Sequence, residues 1–288
     1  MSLKKIRIGT RGSALAMWQA KHVESLLLAN HLNLETVLVP IETQGDLDLN
    51  RSISDIGGKG IFLKEIEQAL LANKIDIAVH SFKDITAIPS PKLTYSGFIL
   101  EEAVTDAFIL FNNRKITDDN LKIATGSLRR KALCQVLYPN IQCHDIRGNI
   151  QTRIQRAKDR GDDGVLLSTA GLQRLNLTHL IHLETNPEEF IPAPGQGIIA
   201  IQQRSNDPNL SAIIQKITQS SVNDLALKYY ALLQGVDFNC QVPFGAYFNQ
   251  NKLCVFMESK FQRVHHQFSL EPDLDLKRLI AWLVSGMH

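Results

Sequence analysis

Over its first two hundred residues the chain alternates short β-branched apolar runs with stretches whose apolar positions recur every three or four residues. That rhythm is the signature of parallel α/β architecture. The runs predict strands at 6–10, 34–41, 75–80, 107–111, 121–125, 141–146, 165–168 and 198–202. Between the first two, Ser13 is placed to cap a helix whose buried face is Ala16, Ala20, Val23 and Leu27. A second helix is expected over 61–73 with Phe62, Ile66, Ala69, Leu70 and Asn73 on one side, and further helices over 127–137, 149–160 and 169–175. Two prolines and two glycines in 191–197 exclude regular structure there and mark a boundary; another falls at 101–105. Past residue 197 the texture changes to a helix at 222–234, antiparallel strands at 253–259 and 264–270, and a last helix at 274–284, which together suggest a small α+β domain.

Composition narrows the classes. The chain has 288 residues, 31 Lys plus Arg against 29 Asp plus Glu, and a net charge of +2. Such balance argues against a general nucleic-acid binder. No run of about 18 apolar residues and no apolar leader segment appears, so a cytoplasmic location is expected. Cys134, Cys143, Cys240 and Cys254 show no Cys-x-x-Cys spacing, which argues against a disulfide framework or a zinc ribbon and leaves each as a small buried hydrophobe. No metal site is expected: His179 and His182 lack a third ligand nearby, and His80 reads as a packed strand-end histidine.

The distribution of charge says more than its total. Residues 122–160 hold nine basic and two acidic side chains, a local +7 that leaves −5 for the remainder. Arg129, Arg130 and Arg147 follow predicted strand ends, the carboxyl edge where open α/β sheets bind ligands, and with Arg153 they read as ligand-binding, whereas Arg156, Lys158 and Arg160 read as a solvated helix face. Several guanidinium forks at one edge imply a ligand with several anionic groups. The first sheet offers matching edges at Thr10-Arg11-Gly12-Ser13 and His80-Ser81-Phe82-Lys83-Asp84. There a cation can hold an anionic substrate beside a carboxylate that accepts N–H bonds or stabilises a developing cation. A surface salt bridge is the plainer reading of Lys83-Asp84.

Taken in order, Thr10-Arg11-Gly12-Ser13-Ala14-Leu15-Ala16 with Gln19, Gly57-Gly58-Lys59-Gly60-Ile61-Phe62, Asp76 to Asp84, Ser127-Leu128-Arg129-Arg130, Arg147-Gly148-Asn149 with Thr152-Arg153, Ala170-Gly171-Leu172, Pro194-Gly195-Gln196-Gly197 and Cys240-Gln241-Val242-Pro243 resemble the porphobilinogen deaminase (hydroxymethylbilane synthase) family. The resemblance implies an α/β fold of two periplasmic-binding-protein-like (type II) lobes with a cleft between them, plus a small C-terminal α+β domain. It divides the chain into domain 1 (1–100 and 197–216), domain 2 (101–196) and domain 3 (217–288), with the strand near Ile198 returning to domain 1. It implies a monomeric transferase of haem biosynthesis that joins four porphobilinogen molecules head to tail on a dipyrromethane cofactor, held by a thioether at Cys240, and releases hydroxymethylbilane. Asp84 matches the catalytic aspartate. Cofactor contacts are expected from Lys83, Ser81, Thr125, Ser127, Arg129, Arg130, Arg147 and Gly171, and substrate contacts from Arg11, Ser13, Gln19, Lys59, Phe62, Arg147, Arg153, Arg174 and Gln196. The stretch 43–60 has the length and polarity of a lid.

Departures accompany the match. Phe238-Asn239 precede Cys240 where relatives have two glycines, Gly126 stands for a serine, Ala124 for a glycine and Thr86 for a proline. Glu101-Glu102 occupy a stretch where an arginine is common, and only 48 residues follow Cys240. The readings that compete with the enzyme are a two-lobed protein that binds a small polyanion without chemistry, and an inactive relative.

Overall fold

The computed structural model describes residues 4–31, 33–47, 62–86, 90–100, 102–236, 242–250, 252–258, 263–269 and 280–281. In chain order the elements are β1 (Lys4–Arg11), α1 (Ala14–Asn30), β2 (Leu34–Ile41), α2 (Gln44–Leu47), α3 (Lys64–Leu71), β3 (Ile77–Ser81) and β4 (Leu93–Ile99). Then come β5 (Asp106–Leu110), β6 (Leu121–Ala124), α4 (Leu128–Leu137), β7 (Ile141–His144), α5 (Ile150–Arg160), β8 (Gly164–Ser168), α6 (Thr169–Arg174) and β9 (Leu183–Glu184). The chain closes with β10 (Ile199–Arg204), α7 (Pro208–Gln215), α8 (Ser220–Val236), β11 (Phe244–Asn249), β12 (Lys252–Glu258) and β13 (Arg263–Ser269). It divides into two compact units, Met1–Glu101 with Ile198–Lys228, and Glu102–Gly197 with Tyr229–His288, the last of the three division points falling inside α8.

The first unit holds a five-stranded sheet of order β2-β1-β3-β10-β4. β1 pairs in parallel with β2 and β3, and β10 runs antiparallel to both β3 and β4, so the strand near Ile198 does return to the first sheet. One face carries α1 and α7 over Ile6, Ile8, Val23, Leu27, Ile201 and Ile214; the other carries α3, with Ile66 and Leu70 against Ile75, Ala78 and Leu93. α1 starts as its sequence dictates: the Ser13 side chain accepts from the Ala16 N–H, and Ala16, Ala20, Val23 and Leu27 are buried, joined by Gln19. A cap of this kind contributes about 1 kcal/mol.

The second unit repeats the plan. Its sheet has the order β7-β6-β8-β5-β9, with β6 parallel to β7 and β8, and β5 antiparallel to β8 and β9. Phe108 and Leu110 pack toward α4 while Ala107 and Ile109 pack toward α5 and α6, so β5 is buried on both faces and reads as a continuous apolar run. β11, β12 and β13 form a three-stranded antiparallel sheet in the same unit, and Cys254 and Phe256 of β12 join the cluster around Phe108 and Phe190. Two α/β sheets of like strand order plus an antiparallel sheet is the architecture the resemblance implies.

Several expectations are corrected. The strands are not all parallel, because the fourth position of each five-stranded sheet is filled by a reversed strand. Asn73 does not share the buried face of α3: the helix ends at Leu71, and Asn73 is exposed with φ 60°, a left-handed conformation that Asn tolerates. β4 was hidden from the pattern because Gly97 interrupts it; an added Cβ there would lie 2.5 Å from Ile214 of α7, so this close helix approach requires glycine. α7 itself is announced by Asp207-Pro208, where the aspartate accepts from the Leu210 N–H and the proline takes the first helical turn. β9 and β11 are further strands not expected from the sequence. Of the expected final helix only residues 280 and 281 are described, and they are helical.

His80 is a buried base within the first sheet, its Nε2 3.1 Å from Gln202 Oε1. Burial pushes its pKa down to about 4, against the opposing pull of the Gln202 hydrogen bond and the Asp84 charge. It is therefore neutral in the fold, whereas the unfolded chain takes up the proton near ~6.5. Stability from keeping it neutral is complete above that value and is lost as pH falls from 6.5 toward 4. We expect a loss on the order of 3 kcal/mol over that range, read from urea unfolding at pH 7 and pH 4.5. His80→Gln should flatten that part of the profile; an unchanged slope would assign it to other groups.

Candidate active site

Because β1 and β3 are parallel, with Ile8 opposite Ile77, the residues that follow them emerge at one edge of the first sheet. Arg11 and Ser13 come from β1, and Ser81, Lys83 and Asp84 from β3 and the 3-10 turn Phe82–Asp84. Gln19, buried on α1, reaches across: its Nε2 donates to Ser81 Oγ at 3.0 Å. The turn is fixed by apolar burial on both sides. Phe82 and Ile85 are almost fully buried, and the Phe82 N–H donates to Ile198 O at 2.9 Å, which leaves Lys83 and Asp84 half-buried. Among the described residues the Asp84 carboxylate makes no side-chain hydrogen bond.

Arg11 is engaged. Its Nε donates to Asp46 Oδ2 at 3.1 Å, a second guanidinium nitrogen pairs with Oδ1, and the guanidinium lies 4.0 Å over the Phe62 ring. Thr43 Oγ1 steadies Asp46 from 2.7 Å. Burial would raise the Asp46 pKa, but Arg11 holds it below the ordinary carboxylate range. Phe62, expected to contact substrate, has one face of its ring covered by Arg11. Lys59 and most of the expected lid lie outside the described residues.

At the corresponding edge of the second sheet Thr125, Ser127, Arg129 and Arg130 follow β6, Arg147 follows β7 and Gly171 follows β8, while Arg153 lies within α5, Arg174 ends α6 and Gln196 precedes β10. Ser127 caps α4 by accepting from the Arg130 N–H, and Thr125 Oγ1 accepts from the Ser127 N–H at 3.4 Å. Gly126 has a structural reason to lack a side chain: a Cβ there would stand 2.6 Å from the Ile146 carbonyl oxygen. Arg153 Nε donates to Gly148 O at 2.6 Å, and Gly171 is buried in α6.

A carboxylate overlooked in the sequence organises this edge. β5 runs against β8 with Asp106 opposite Ser168, so the first residue of β5 lies at the carboxyl end of β8. Arg129 Nη1 donates to Asp106 Oδ2 at 2.7 Å and to Ile191 O at 2.7 Å. Arg130 reaches Asp106 Oδ1 with Nε (2.9 Å) and Nη2 (2.7 Å), and Leu166 O with Nη1 (3.1 Å). Gln196 Nε2 meets Asp106 Oδ1 at 3.0 Å and the carbonyls of Val104 and Thr105. Asp106 is fully buried, which by itself would raise its pKa, yet the two arginines hold it well below the usual range. Arg174, also buried, donates to Glu102 and to Gly197 O, both at 2.6 Å. Arg129, Arg130 and Arg174 are thus interior groups of the second unit rather than solvated forks. The sequence carried one signal for Asp106, an acidic residue directly before the apolar run Ala107–Phe111.

A sequence profile described as "Porphobilinogen deaminase, dipyromethane cofactor binding domain" matches residues 6–212. The chain belongs to the porphobilinogen deaminase family. A porphobilinogen deaminase of Chromobacterium violaceum is 36% identical over 247 residues, 85% of this chain and 80% of that protein. One from Xanthomonas campestris is 33% identical over 286 residues, 96% and 94% of the two chains, and one from Syntrophomonas wolfei 37% identical over 243, 84% and 79%. With the family comes its activity, a transferase that deaminates and polymerises porphobilinogen in haem biosynthesis with dipyrromethane as cofactor.

Asp106→Asn should be strongly destabilising, because two buried guanidiniums lose the charge that offsets them. A loss of about 3–5 kcal/mol is expected from breaking a buried pair of this kind, measured by chemical denaturation. A change below ~1 kcal/mol, the range of an exposed pair, would show that the arginines do not depend on it.

Proposed function

We propose that this chain builds hydroxymethylbilane from four porphobilinogen molecules, with Asp84 as the catalytic carboxylate and Cys240 as the thioether anchor of the dipyrromethane. The observation that carries the assignment is the contrast among carboxylates. Asp46, Asp76 and Asp106 are all paired with arginine, whereas Asp84, held at the end of β3, has no such partner among the described residues. Cys240, Phe238 and Asn239 lie outside the described residues, so the anchor rests on the motif alone.

The residues present fit a ligand rich in carboxylates and pyrrole N–H groups. Two guanidiniums against the single Asp106 carboxylate leave one positive charge in the second unit's cluster. The Gln196 amide nitrogen is committed to three acceptors, which fixes the amide's orientation and leaves Oε1 as a buried acceptor with no partner among the described residues. An N–H arriving there removes a penalty of about 1–3 kcal/mol. A substrate carboxylate reaching Arg11 competes with Asp46 for the same fork. Lys83 and Ser13 supply further donors at the Asp84 edge.

Bound dipyrromethane supplies the nucleophilic α-carbon to which the first substrate is joined. Asp84 accepts the pyrrole N–H of the incoming porphobilinogen and so orients the ring. As the aminomethyl group leaves as ammonia, positive charge spreads into that ring, and a carboxylate one hydrogen bond away stabilises it. After carbon–carbon bond formation the displaced α-proton passes to an Asp84 carboxylate oxygen, which restores the aromatic pyrrole. We place the enzyme in the cytoplasm as a monomer; no helix among the described residues is long and apolar enough to cross a membrane.

Asp84→Asn keeps the shape but weakens charge stabilisation and proton transfer. It should lower turnover by at least ~100-fold with the fold retained, assayed as porphobilinogen consumed, by loss of its colour with acidic p-dimethylaminobenzaldehyde, and as released ammonia. Turnover near wild type would remove Asp84 from the chemistry. Wild-type intact mass should exceed the sequence mass by a two-pyrrole adduct that Cys240→Ser abolishes. A protein that binds porphobilinogen saturably but releases no ammonia would restore the binding-protein reading.

A further inference from the structure

Two cysteines that the deamination chemistry does not use pack into one apolar cluster of the second unit. Cys134 lies on the buried face of α4 and is fully enclosed, and Cys143 lies on β7, where it packs against the same apolar cluster and is partly exposed. The two elements are joined by the short connection 138–140, which brings the end of α4 back onto the strand it leads into. Both side chains pack in that one cluster, the Lys131–Asp145 ion pair at 2.7 Å ties α4 to the residue just past β7, and neither thiol forms a disulfide.

Their environments differ in the way a reactive and a resolving thiol differ. The Cys134 sulfur and the ammonium of Lys131 favour the Cys143 thiolate, which they hold below the ordinary thiol range in spite of partial burial and the Asp145 charge. The partnership with Cys143, together with burial, pushes Cys134 up, so it keeps its proton. A partly exposed thiol whose ionisation a nearby ammonium eases, here Lys131 paired with Asp145, is open to attack on peroxide, and a second thiol that reaches the first oxidation product diverts it to a disulfide.

We propose that Cys143 and Cys134 are a peroxide-sensitive thiol pair that closes to an intramolecular disulfide. The Cys143 thiolate attacks hydrogen peroxide, the O–O bond breaks, hydroxide leaves, and the sulfur becomes a sulfenic acid. Cys134 then attacks that sulfur, the S–O bond breaks, and water leaves with the Cys134 proton. Each sulfur is oxidised by one electron and the peroxide is reduced to two waters once the hydroxide is protonated. Arg130 and Cys134 are four residues apart on α4 and so share a helix face. The bridge therefore pins to β7 the helix that carries the arginine pair, without involving Asp84.

The test uses the full-length protein as purified, exposed to hydrogen peroxide, quenched, alkylated and digested. The expected result is a loss of two alkylatable thiols and a linked pair of peptides containing Cys134 and Cys143, both reversed by dithiothreitol. Cys143→Ser should yield no linkage and no sulfenic acid at Cys134. Cys134→Ala, which keeps the buried site apolar, should leave a Cys143 sulfenic acid trapped by dimedone. Because the wild-type digest needs no variant to fold, it decides the matter alone. Both cysteines remaining alkylatable after peroxide, oxidation of Cys143 to the sulfinic acid without linkage, or bridging through Cys254 in place of either would each overturn the proposal.

Discussion

Asp106 is where the second unit is tied together. Its carboxylate is enclosed by the protein yet stays ionised, because Arg129 and Arg130 approach it from the first turn of α4 and Gln196 approaches from the segment that leads out of the unit. Each partner is in turn bound to backbone: Arg129 to Ile191, Arg130 to Leu166, Gln196 to Val104 and Thr105. One anion therefore sets the placement of a helix, a strand end and a proline-rich connection. The arrangement exists because β5 runs opposite to its neighbour β8, which puts its first residue where parallel strands have their last.

The two sheets share a strand order but use the same edge oppositely. In the first unit the carboxylate at the edge, Asp84, is left without a side-chain hydrogen bond among the described residues while the nearby Arg11 is neutralised by Asp46. In the second the carboxylate is saturated and a surplus guanidinium charge remains. The two edges thus differ in what they leave open, an acceptor in the first unit and net positive charge in the second.

Much of this was legible in the chain. Period placed α1, α4 and α5 to within a residue or two, Ser13 accepts the N–H its predicted cap position requires, and the structure adds Ser127 and Asn149 as the caps of α4 and α5. The reversed strands were not legible, because β5 past Asp106 and the first half of β10, Ile199–Ile201, carry the same apolar texture as parallel strands buried on both faces, and direction leaves no mark on composition. The arginines were found but their surroundings were not: Arg129 and Arg130 look like exposed forks in a basic run until the single acidic residue 23 positions earlier is brought beside them. Cys134 and Cys143 likewise read as separate hydrophobes because α4 leads back to β7 only in three dimensions.

The strand β10 has a consequence for how the protein is made. Its hydrogen bonds complete the first sheet between β3 and β4, but it is encoded after the whole first stretch of the second unit, Glu102–Gly197. A nascent chain emerging from the ribosome therefore presents β3 and β4 as open edges for the time needed to synthesise about a hundred residues, roughly 5–20 seconds at usual elongation rates. During that interval any stray strand can occupy the slot. The ordering leaves the first sheet incomplete until the Glu102–Gly197 stretch has been made, and a truncation just before Ile199 would leave that sheet without its fourth strand.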